Sequence, residues 1–147
     1  MNDIHIVPMT QVEISGIAAL EAECFSEPWS ASSLESELEK QNARFFVAVS
    51  SGEVLGYVGC IFVCGEGSIT NIAVKASARR RGVASLLLIR LIETAKAESA
   101  TEIFLEVRRS NLAAQKLYQK FGFSICGERR SFYRAPLEDA YIMKLSI

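Results

Sequence analysis

The chain has 147 residues, half of them apolar, and its 16 basic and 17 acidic side chains leave a formal net charge of −1. This length suits a single domain over residues 1–147, and the apolar content excludes an intrinsically disordered chain. The near-zero charge argues against a general affinity for nucleic acid or anionic membranes. No apolar run is long enough to span a membrane, and MNDIHIVPMTQ lacks the features of a signal peptide, so we expect a cytoplasmic protein.

The first half of the chain predicts a strand, two helices and a three-stranded meander. Thr10 and Glu13 have the spacing of a capping box, and Ser30 can cap a second, shorter helix. The predicted elements are a strand at 3–8, helices from 10 to about 25 and from 30 to about 39, strands at 44–50, 54–63 and 68–74, and turns at 51–52 and 65–67.

The second half alternates helices and strands. Gly122 is expected to end the last helix in a left-handed conformation. The predicted elements are a helix beginning near Arg81, a strand at 101–107, a helix at 111–121, and strands at 123–129 and 139–147. This order indicates the α/β class, with a mixed sheet of about seven strands flanked by about four helices in one domain.

The cysteines do not form a metal-binding pattern. A zinc site needs four convergent ligands, whereas Cys60 and Cys64 lie in an apolar run and the only histidine, His5, is far away in sequence. Together with Cys24 and Cys126, they are expected to be buried, reduced thiols, and no metal is expected.

An arginine cluster stands at a helix start, in the segment ARRRGVAS (78–85). Cations there face the positive end of the helix dipole, which is unfavourable unless an anion binds. The N–H groups of a helix start, a glycine and adjacent arginines together form a typical phosphate site. A solvated basic turn without a ligand is the alternative. Neither GxxxxGK(S/T) nor GxGxxG is present, so a nucleotide triphosphatase or Rossmann site is not predicted.

Two segments carry a family resemblance. Arg79–Ala84 reads RRRGVA and matches the Q/R-x-x-G-x-G/A signature of the GNAT N-acetyltransferases, and Asn111–Phe123 matches their second signature. The chain further resembles the RimI family in EPWS (27–30), TNIAV (70–74) and LEVRRSN (105–111), and in LEDAYIM (137–143). The predicted order of elements is also that of the GNAT fold.

The resemblance implies acetyl-CoA as co-substrate, without a metal, and a pyrophosphate cradle at the arginine segment. The acceptor it implies is a protein N-terminus, most specifically the N-terminal alanine of a small-subunit ribosomal protein. The backbone N–H of Val74 would help to bind the thioester oxygen if its strand splays from its neighbour. The implied cofactor residues are Ile72, Ala73, Val74, Arg79, Arg80, Arg81, Gly82, Val83, Ala84, Ser85 and Asn111.

Glu106 and Tyr118 are the candidate catalytic residues. Alternation places Glu106 opposite the apolar face of its strand, where partial burial would raise its pKa, and a salt-bridged carboxylate is the alternative. Leu117 and Phe121 are expected to mark the buried face of the last helix, with a mostly buried Tyr118 beside it. A core tyrosine without a catalytic role is the alternative. The resemblance assigns Glu106 as the base and Tyr118 as the acid. Asn111 is either an N-cap or also a cofactor contact.

The resemblance places the acceptor between CFSEPWS (24–30) and RSFYRAPLED (130–139), the second taken as a loop between strands. Three aromatic residues suit a peptide groove there, with capping of core edges as the alternative: Trp29, Phe132 and Tyr133. Glu27 and Phe132 depart from the familiar RimI pattern. A small-amine acceptor is a second hypothesis, with an acidic pocket from Glu27, Glu138 and Asp139. A non-enzymatic CoA- or nucleic-acid-binding module is a third.

Overall fold

The computed structural model describes residues 3–147, so the first two residues of the predicted domain lie outside the described part. This part forms seven strands and four α-helices, as the sequence predicts. The strands are β1 (His5–Pro8), β2 (Ala43–Ser50), β3 (Glu53–Val63), β4 (Glu66–Val74), β5 (Glu102–Arg108), β6 (Ser124–Arg134) and β7 (Leu137–Ser146). The helices are α1 (Ile14–Cys24), α2 (Ala31–Leu38), α3 (Val83–Ala97) and α4 (Leu112–Lys120).

All seven strands belong to one sheet in the order β1-β2-β3-β4-β5-β7-β6. Every neighbouring pair is antiparallel except β4 and β5, which are parallel. The β4–β5 pairing joins only Glu66–Ser68 to Glu102–Phe104. Beyond this short ladder the two strands diverge and leave a gap in the middle of the sheet.

Two apolar clusters hold the helices on opposite faces of the sheet. Leu88 and Leu91 of α3 are fully buried in one cluster, which also contains Tyr118 of α4. Ile17 of α1 and Leu34 of α2 are fully buried in the other. Burial of such side chains is the main stabilising contribution to the fold. Among the described residues, no helix is long and apolar enough to cross a membrane.

The predicted caps are present. Thr10 and Glu13 form the capping box, although the first turn after Thr10 is a short 3-10 segment, Gln11–Glu13, that precedes α1. The Ser30 hydroxyl accepts a hydrogen bond from the Ser33 N–H and caps α2. Gly122 follows α4 with φ of +101°, a conformation that glycine adopts at low cost.

Two predicted boundaries differ from the structure, and one short turn was not predicted. Helix α3 begins at Val83 rather than near Arg81, because Gly82 takes a left-handed conformation, and an unpredicted 3-10 turn, Ala76–Ala78, precedes it. The turn at 65–67 is shorter than predicted, since β4 already begins at Glu66.

Most of the segment 130–139, predicted as a loop, extends the β6–β7 hairpin. Nearly every β6 residue is exposed, so this edge strand lacks the apolar alternation by which strands are predicted.

Candidate active site

The divergence of β4 and β5 opens a cleft of about 540 Å³, which we call the β4–β5 cleft. It brings together predicted catalytic, cofactor and acceptor residues from distant parts of the sequence. Those lining it are Trp29, Ile72, Glu106, Asn111, Tyr118, Phe132 and Tyr133. The other predicted cofactor residues do not line it and lie along the end of β4 and the segment that leads into α3.

The backbone of Val74 faces the gap. The Lys75 N–H donates to the Leu55 carbonyl at 2.7 Å, and Val74 lies opposite Gly56. Because backbone groups alternate in direction along an antiparallel ladder, the N–H and C=O of Val74 point away from β3. The splayed strand end expected from the resemblance is therefore present. By the same alternation, Ala73 turns its backbone groups towards β3.

Glu106 projects into the cleft from β5. Its neighbours Leu105 and Val107 are buried on the other face, as alternation predicts. The Glu106 side chain is 29% exposed, and its carboxylate lies 3.9 Å from the Arg129 Nε. Glu106 therefore faces the cleft and also forms a loose ion pair with Arg129. An exposed ion pair at this distance contributes little stability.

Tyr118 is the buried residue at the cleft end of α4. Leu117 and Phe121 pack half-buried against the core, as predicted for that face of the helix, and Tyr118 beside them is more deeply buried, at 5% exposed. The Tyr118 hydroxyl makes no hydrogen bond to any residue from 3 to 147, and its ring packs on Phe123 with centroids 5.9 Å apart. Burial raises the pKa of Tyr118 above its ordinary value, so the phenol keeps its proton at neutral pH.

Asn111 and Gln115 fix the start of α4 at the end of β5. The Asn111 Oδ1 accepts a hydrogen bond from the Ala114 N–H at 3.2 Å, so the N-cap interpretation is confirmed. The buried Gln115 side chain, which the sequence analysis missed, donates to the carbonyls of Arg108 and Arg109 at 3.1 and 3.0 Å. These bonds determine where Tyr118 sits relative to Glu106.

The segment before α3 exposes backbone N–H groups. Arg80 and Gly82 have φ of +65° and +76°, and Gly82 is an N-cap without a side-chain hydrogen bond. Residues Val83, Ala84 and Ser85 therefore begin a 15-residue helix without a side-chain cap on their N–H groups. A Cβ on Gly82 would meet no atom within 4 Å, so the space beside this helix start is open.

The three arginines have different surroundings. The Arg79 Nε donates to the Val74 carbonyl at 3.3 Å, and one of its Nη atoms lies 3.9 Å from the Cys24 Sγ. Arg79 is exposed like its two neighbours, but its guanidinium contacts the end of β4. Arg80 and Arg81 are exposed, and neither forms an ion pair within the described chain. These two side chains and the helix start fit a pyrophosphate group.

The acceptor side of the cleft is aromatic. Trp29 is half-buried and packs on Phe45 with centroids 6.2 Å apart, so it also closes a core edge. Phe132 and Tyr133 form an edge-to-face pair at 5.0 Å. The Arg108 guanidinium lies 4.3 Å from the Tyr133 ring centroid, and burial, with the nearby Glu106, raises the pKa of Tyr133 to about 12.

Two bonds connect the segments on either side of the acceptor entrance. The Glu27 carboxylate contacts the Arg134 guanidinium at 3.3 Å, and the Ser26 hydroxyl donates to the Ala135 carbonyl at 2.5 Å. The Arg108 guanidinium supports the same turn by donating to the Pro136 carbonyl at 2.9 Å. The α1–α2 loop and the β6–β7 turn are therefore joined across the cleft.

The three carboxylates of the hypothetical acidic pocket are each engaged. Glu27 pairs with Arg134, as described above. Glu138 accepts from the Ser110 N–H at 2.6 Å and pairs with Arg108, and Asp139 accepts from the Ser131 N–H at 2.8 Å. Glu27 lines the β4–β5 cleft, whereas Glu138 and Asp139 line a separate, open surface pocket. The three carboxylates therefore do not line one site, which weakens the hypothesis of a cationic small-amine site.

Sequence reasoning missed Glu21, a fully buried carboxylate in the wall of the cleft. It accepts hydrogen bonds from the Tyr57 hydroxyl at 2.5 Å, the Asn71 amide at 3.0 Å and the Trp29 N–H at 2.9 Å. One signal was available: Glu21 follows Ile14 and Ile17 at the spacing of one helical face, so it lies on the buried side of α1.

The cysteines are all free thiols. The prediction of burial is correct for Cys60, whose pKa burial raises to about 12, and wrong for Cys64 and Cys126, which are exposed. Cys24 is half-buried at the cleft. No three His, Cys, Asp or Glu side chains within residues 3–147 are arranged to hold a metal ion.

Comparisons with known proteins show similarity in both sequence and fold. Residues 14–123 match the acetyltransferase (GNAT) family. The chain is 33% identical to the ribosomal protein bS18-alanine N-acetyltransferase of Escherichia coli (strain K12), covering 100% of this chain and 99% of that protein. It is 32% identical to the N-alpha-acetyltransferase RimI of Mycobacterium tuberculosis, covering 96% and 91%. The crystal structure of the ribosomal-protein-S18-alanine N-acetyltransferase from E. coli superposes with a TM-score of 0.90, at 28% identity over 99% and 94% of the chains.

The Glu138 contacts predict a pH-dependent contribution to stability. Hydrogen bonds donated by Ser110 and then the Arg108 guanidinium lower the pKa of Glu138, so its ionised form stabilises the fold. This contribution is present above the unfolded pKa of about 4.3 and is lost as the pH falls through the lower folded value. Glu138→Gln should therefore lower the melting temperature at pH 7, and the difference from wild type should shrink below about pH 4. Glu93→Gln, an exposed change on α3, should show no such trend; a constant difference for Glu138→Gln would contradict the assignment.

Proposed function

The chain belongs to the acetyltransferase (GNAT) family, and we propose that it transfers the acetyl group of acetyl-CoA to the N-terminal amine of a protein. The observation that carries this proposal is the β4–β5 cleft, where Glu106 and Tyr118 line one space and the nearby Val74 N–H points away from β3. The full-length relatives named for alanine N-acetylation support an N-terminal alanine of a small-subunit ribosomal protein as the acceptor. We place the reaction in the cytoplasm, where ribosomal proteins are made.

Glu106 and Tyr118 divide the proton transfers. Glu106 accepts a proton from the acceptor amine, whose nitrogen then attacks the thioester carbon. As the C–S bond breaks, the Tyr118 hydroxyl donates its proton to the departing thiolate. The free hydroxyl and raised pKa of Tyr118 suit a donor. Attack is direct, because within residues 3–147 no thiol in the cleft has a histidine beside it to activate it.

Backbone groups hold the acetyl donor. The Val74 N–H points into the gap and can donate to the thioester oxygen as negative charge develops there. The N–H groups of Val83, Ala84 and Ser85 offer the pyrophosphate a site at the positive end of the α3 dipole. Arg80 and Arg81 add charge-assisted hydrogen bonds. Asn111, which lines the cleft, is the remaining proposed contact.

Acceptor assays test the proposal directly. Peptides with N-terminal alanine, such as the first residues of a small-subunit ribosomal protein, should be acetylated at the α-amine, as detected by mass spectrometry. The same peptides with a blocked N-terminus should not react, even when they contain lysine. Polyamines, free amino acids and aminoglycosides serve as the comparison panel. Turnover only with members of that panel would overturn the proposal in favour of a small-amine acetyltransferase.

Glu106→Gln and Tyr118→Phe should each lower kcat by about a hundredfold or more while the protein stays folded, since each removes one proton transfer. The pH profile of Glu106→Gln should differ from that of wild type, because its rate should follow ionisation of the acceptor amine alone, with a pKa of about 8. The matched controls are Glu102→Gln, on the same face of β5 and paired with Lys144, and Tyr141→Phe on β7. If either active-site variant kept the wild-type kcat and pH profile, that residue would lose its role.

Gly82→Leu should raise the KM for acetyl-CoA more than Arg81→Ala does, because the backbone N–H groups are proposed as the main cradle. A leucine there would fill the open space beside the helix start and strain a left-handed backbone. Gly52→Leu is the matched control for strain, since Gly52 has φ of +79° and equally open surroundings in the β2–β3 turn. An equal effect of Gly52→Leu and Gly82→Leu on KM would contradict the cradle.

A further inference from the structure

Glu21 is unusual among the carboxylates of this protein. Its side chain is completely buried, and it forms no ion pair with any described residue. Burying a carboxylate without a cation costs free energy unless its oxygens are fully hydrogen-bonded. Both oxygens are used here: one accepts from the Trp29 N–H, and the other from the Tyr57 hydroxyl and the Asn71 amide. These three hydrogen bonds indicate that the Glu21 carboxylate is held in a fixed position.

The three donors come from three different elements around the cleft. Trp29 lies in the α1–α2 loop, Tyr57 in β3 and Asn71 in β4, close to the point where β4 leaves β5. Burial, followed by the Glu21 carboxylate beside it, raises the pKa of Tyr57, which therefore acts as a hydrogen-bond donor. Glu21 thus connects the loop on the acceptor side to the strand beside which the acetyl donor is proposed to lie.

The α1–α2 loop has few other attachments. Its Phe25 and Glu27 are exposed, and its bonds to the β6–β7 turn, from Ser26 and Glu27, are at the surface. Surface bonds of this kind are weak because water competes for both partners. The Trp29 N–H bond to Glu21 is partly buried, unlike these surface bonds, and lies where the loop forms the cleft wall.

We infer that Glu21 is a positioning residue for the acceptor: it holds the α1–α2 loop at a fixed distance from β4 and so sets the width of the acceptor side of the β4–β5 cleft. This inference rests on the proposed function. Glu21 makes no bond to the segment before α3, so its loss should leave acetyl-CoA binding largely intact. If Glu21 were merely structural, its replacement would change the KM values for both substrates alike or change neither.

The fluorescence of Trp29 reports on the α1–α2 loop, since Trp29 is the only tryptophan of the chain. In Glu21→Ala the emission of Trp29 should shift to longer wavelength and its quenching by acrylamide should increase. The KM for an alanine-terminated peptide should rise by about tenfold, which corresponds to loss of a buried hydrogen-bond acceptor. The KM for acetyl-CoA should change less than about twofold. Glu21→Gln, which keeps an oxygen for the Trp29 N–H, should fall between wild type and Glu21→Ala in both respects.

The control is Glu37→Ala. Glu37 is the other buried glutamate of the described chain, lies in α2, pairs with Lys40 and does not line the cleft. Its loss should leave the Trp29 emission and the peptide KM as in wild type. If Glu21→Ala does not fold, Tyr57→Phe and Asn71→Ser each remove one partner of Glu21 and are measured in the same way, with smaller shifts expected in the same direction.

The outcomes separate this inference from the proposed function. Wild-type activity on peptides tests the proposed function alone. Trp29 emission tests the contact between Glu21 and Trp29 and needs no acceptor. If wild type acetylates no peptide, the function fails; the emission shift together with a raised KM for the amine that wild type does use would still support a positioning role. Unchanged Trp29 emission with unchanged KM values, or equal rises in both KM values, would overturn the inference.

Discussion

The short ladder between β4 and β5 is the constraint on which the site depends. Hydrogen bonding stops after Ser68 and Phe104, and the backbone groups of Val74 are consequently left without a strand partner on that side. A continuous sheet would satisfy those groups and close the cleft. The fold tolerates this gap because the two strands are supported from other sides, β4 by β3 and β5 by β7, and because apolar clusters cover both faces.

The cleft divides into parts with different mechanical support. The segment that leads into α3 is attached to a helix whose Leu88 and Leu91 are fully buried, so the proposed pyrophosphate cradle rests on the core. The aromatic acceptor side depends on the α1–α2 loop and the exposed β6–β7 hairpin. The proposed catalytic pair stands between these parts, with Glu106 on β5 and Tyr118 on α4, which Gln115 attaches to the end of β5. The residues proposed for the proton transfers therefore rest on the core, whereas the acceptor side is held mainly through Glu21.

Sequence reasoning succeeded where a residue's role follows from local periodicity. Alternation placed Glu106 on the open face of β5, and the capping box located the start of the first helical segment. It failed where tertiary contacts decide. Tyr118 is buried more deeply than Leu117 because of how α4 packs on the core, which the helical period alone does not determine. Strand β6 was shortened in the prediction because an exposed edge strand shows no apolar period, and Glu21 was missed because its three partners are far apart in sequence.

The exposed contact between the α1–α2 loop and the β6–β7 turn has a consequence for the evolution of this enzyme. The α1–α2 loop and the β6–β7 turn meet through Glu27, Arg134 and Ser26, all exposed and outside the two cores. Substitutions there cost little stability, since surface changes usually have small effects on folding. A lineage could therefore exchange one target protein for another through a few neutral steps at this rim, while the acetyl-transfer machinery was inherited unchanged. Glu21 lies beneath this surface and is fully buried, so substitutions of Glu21 would be tolerated far less than substitutions in the exposed contact.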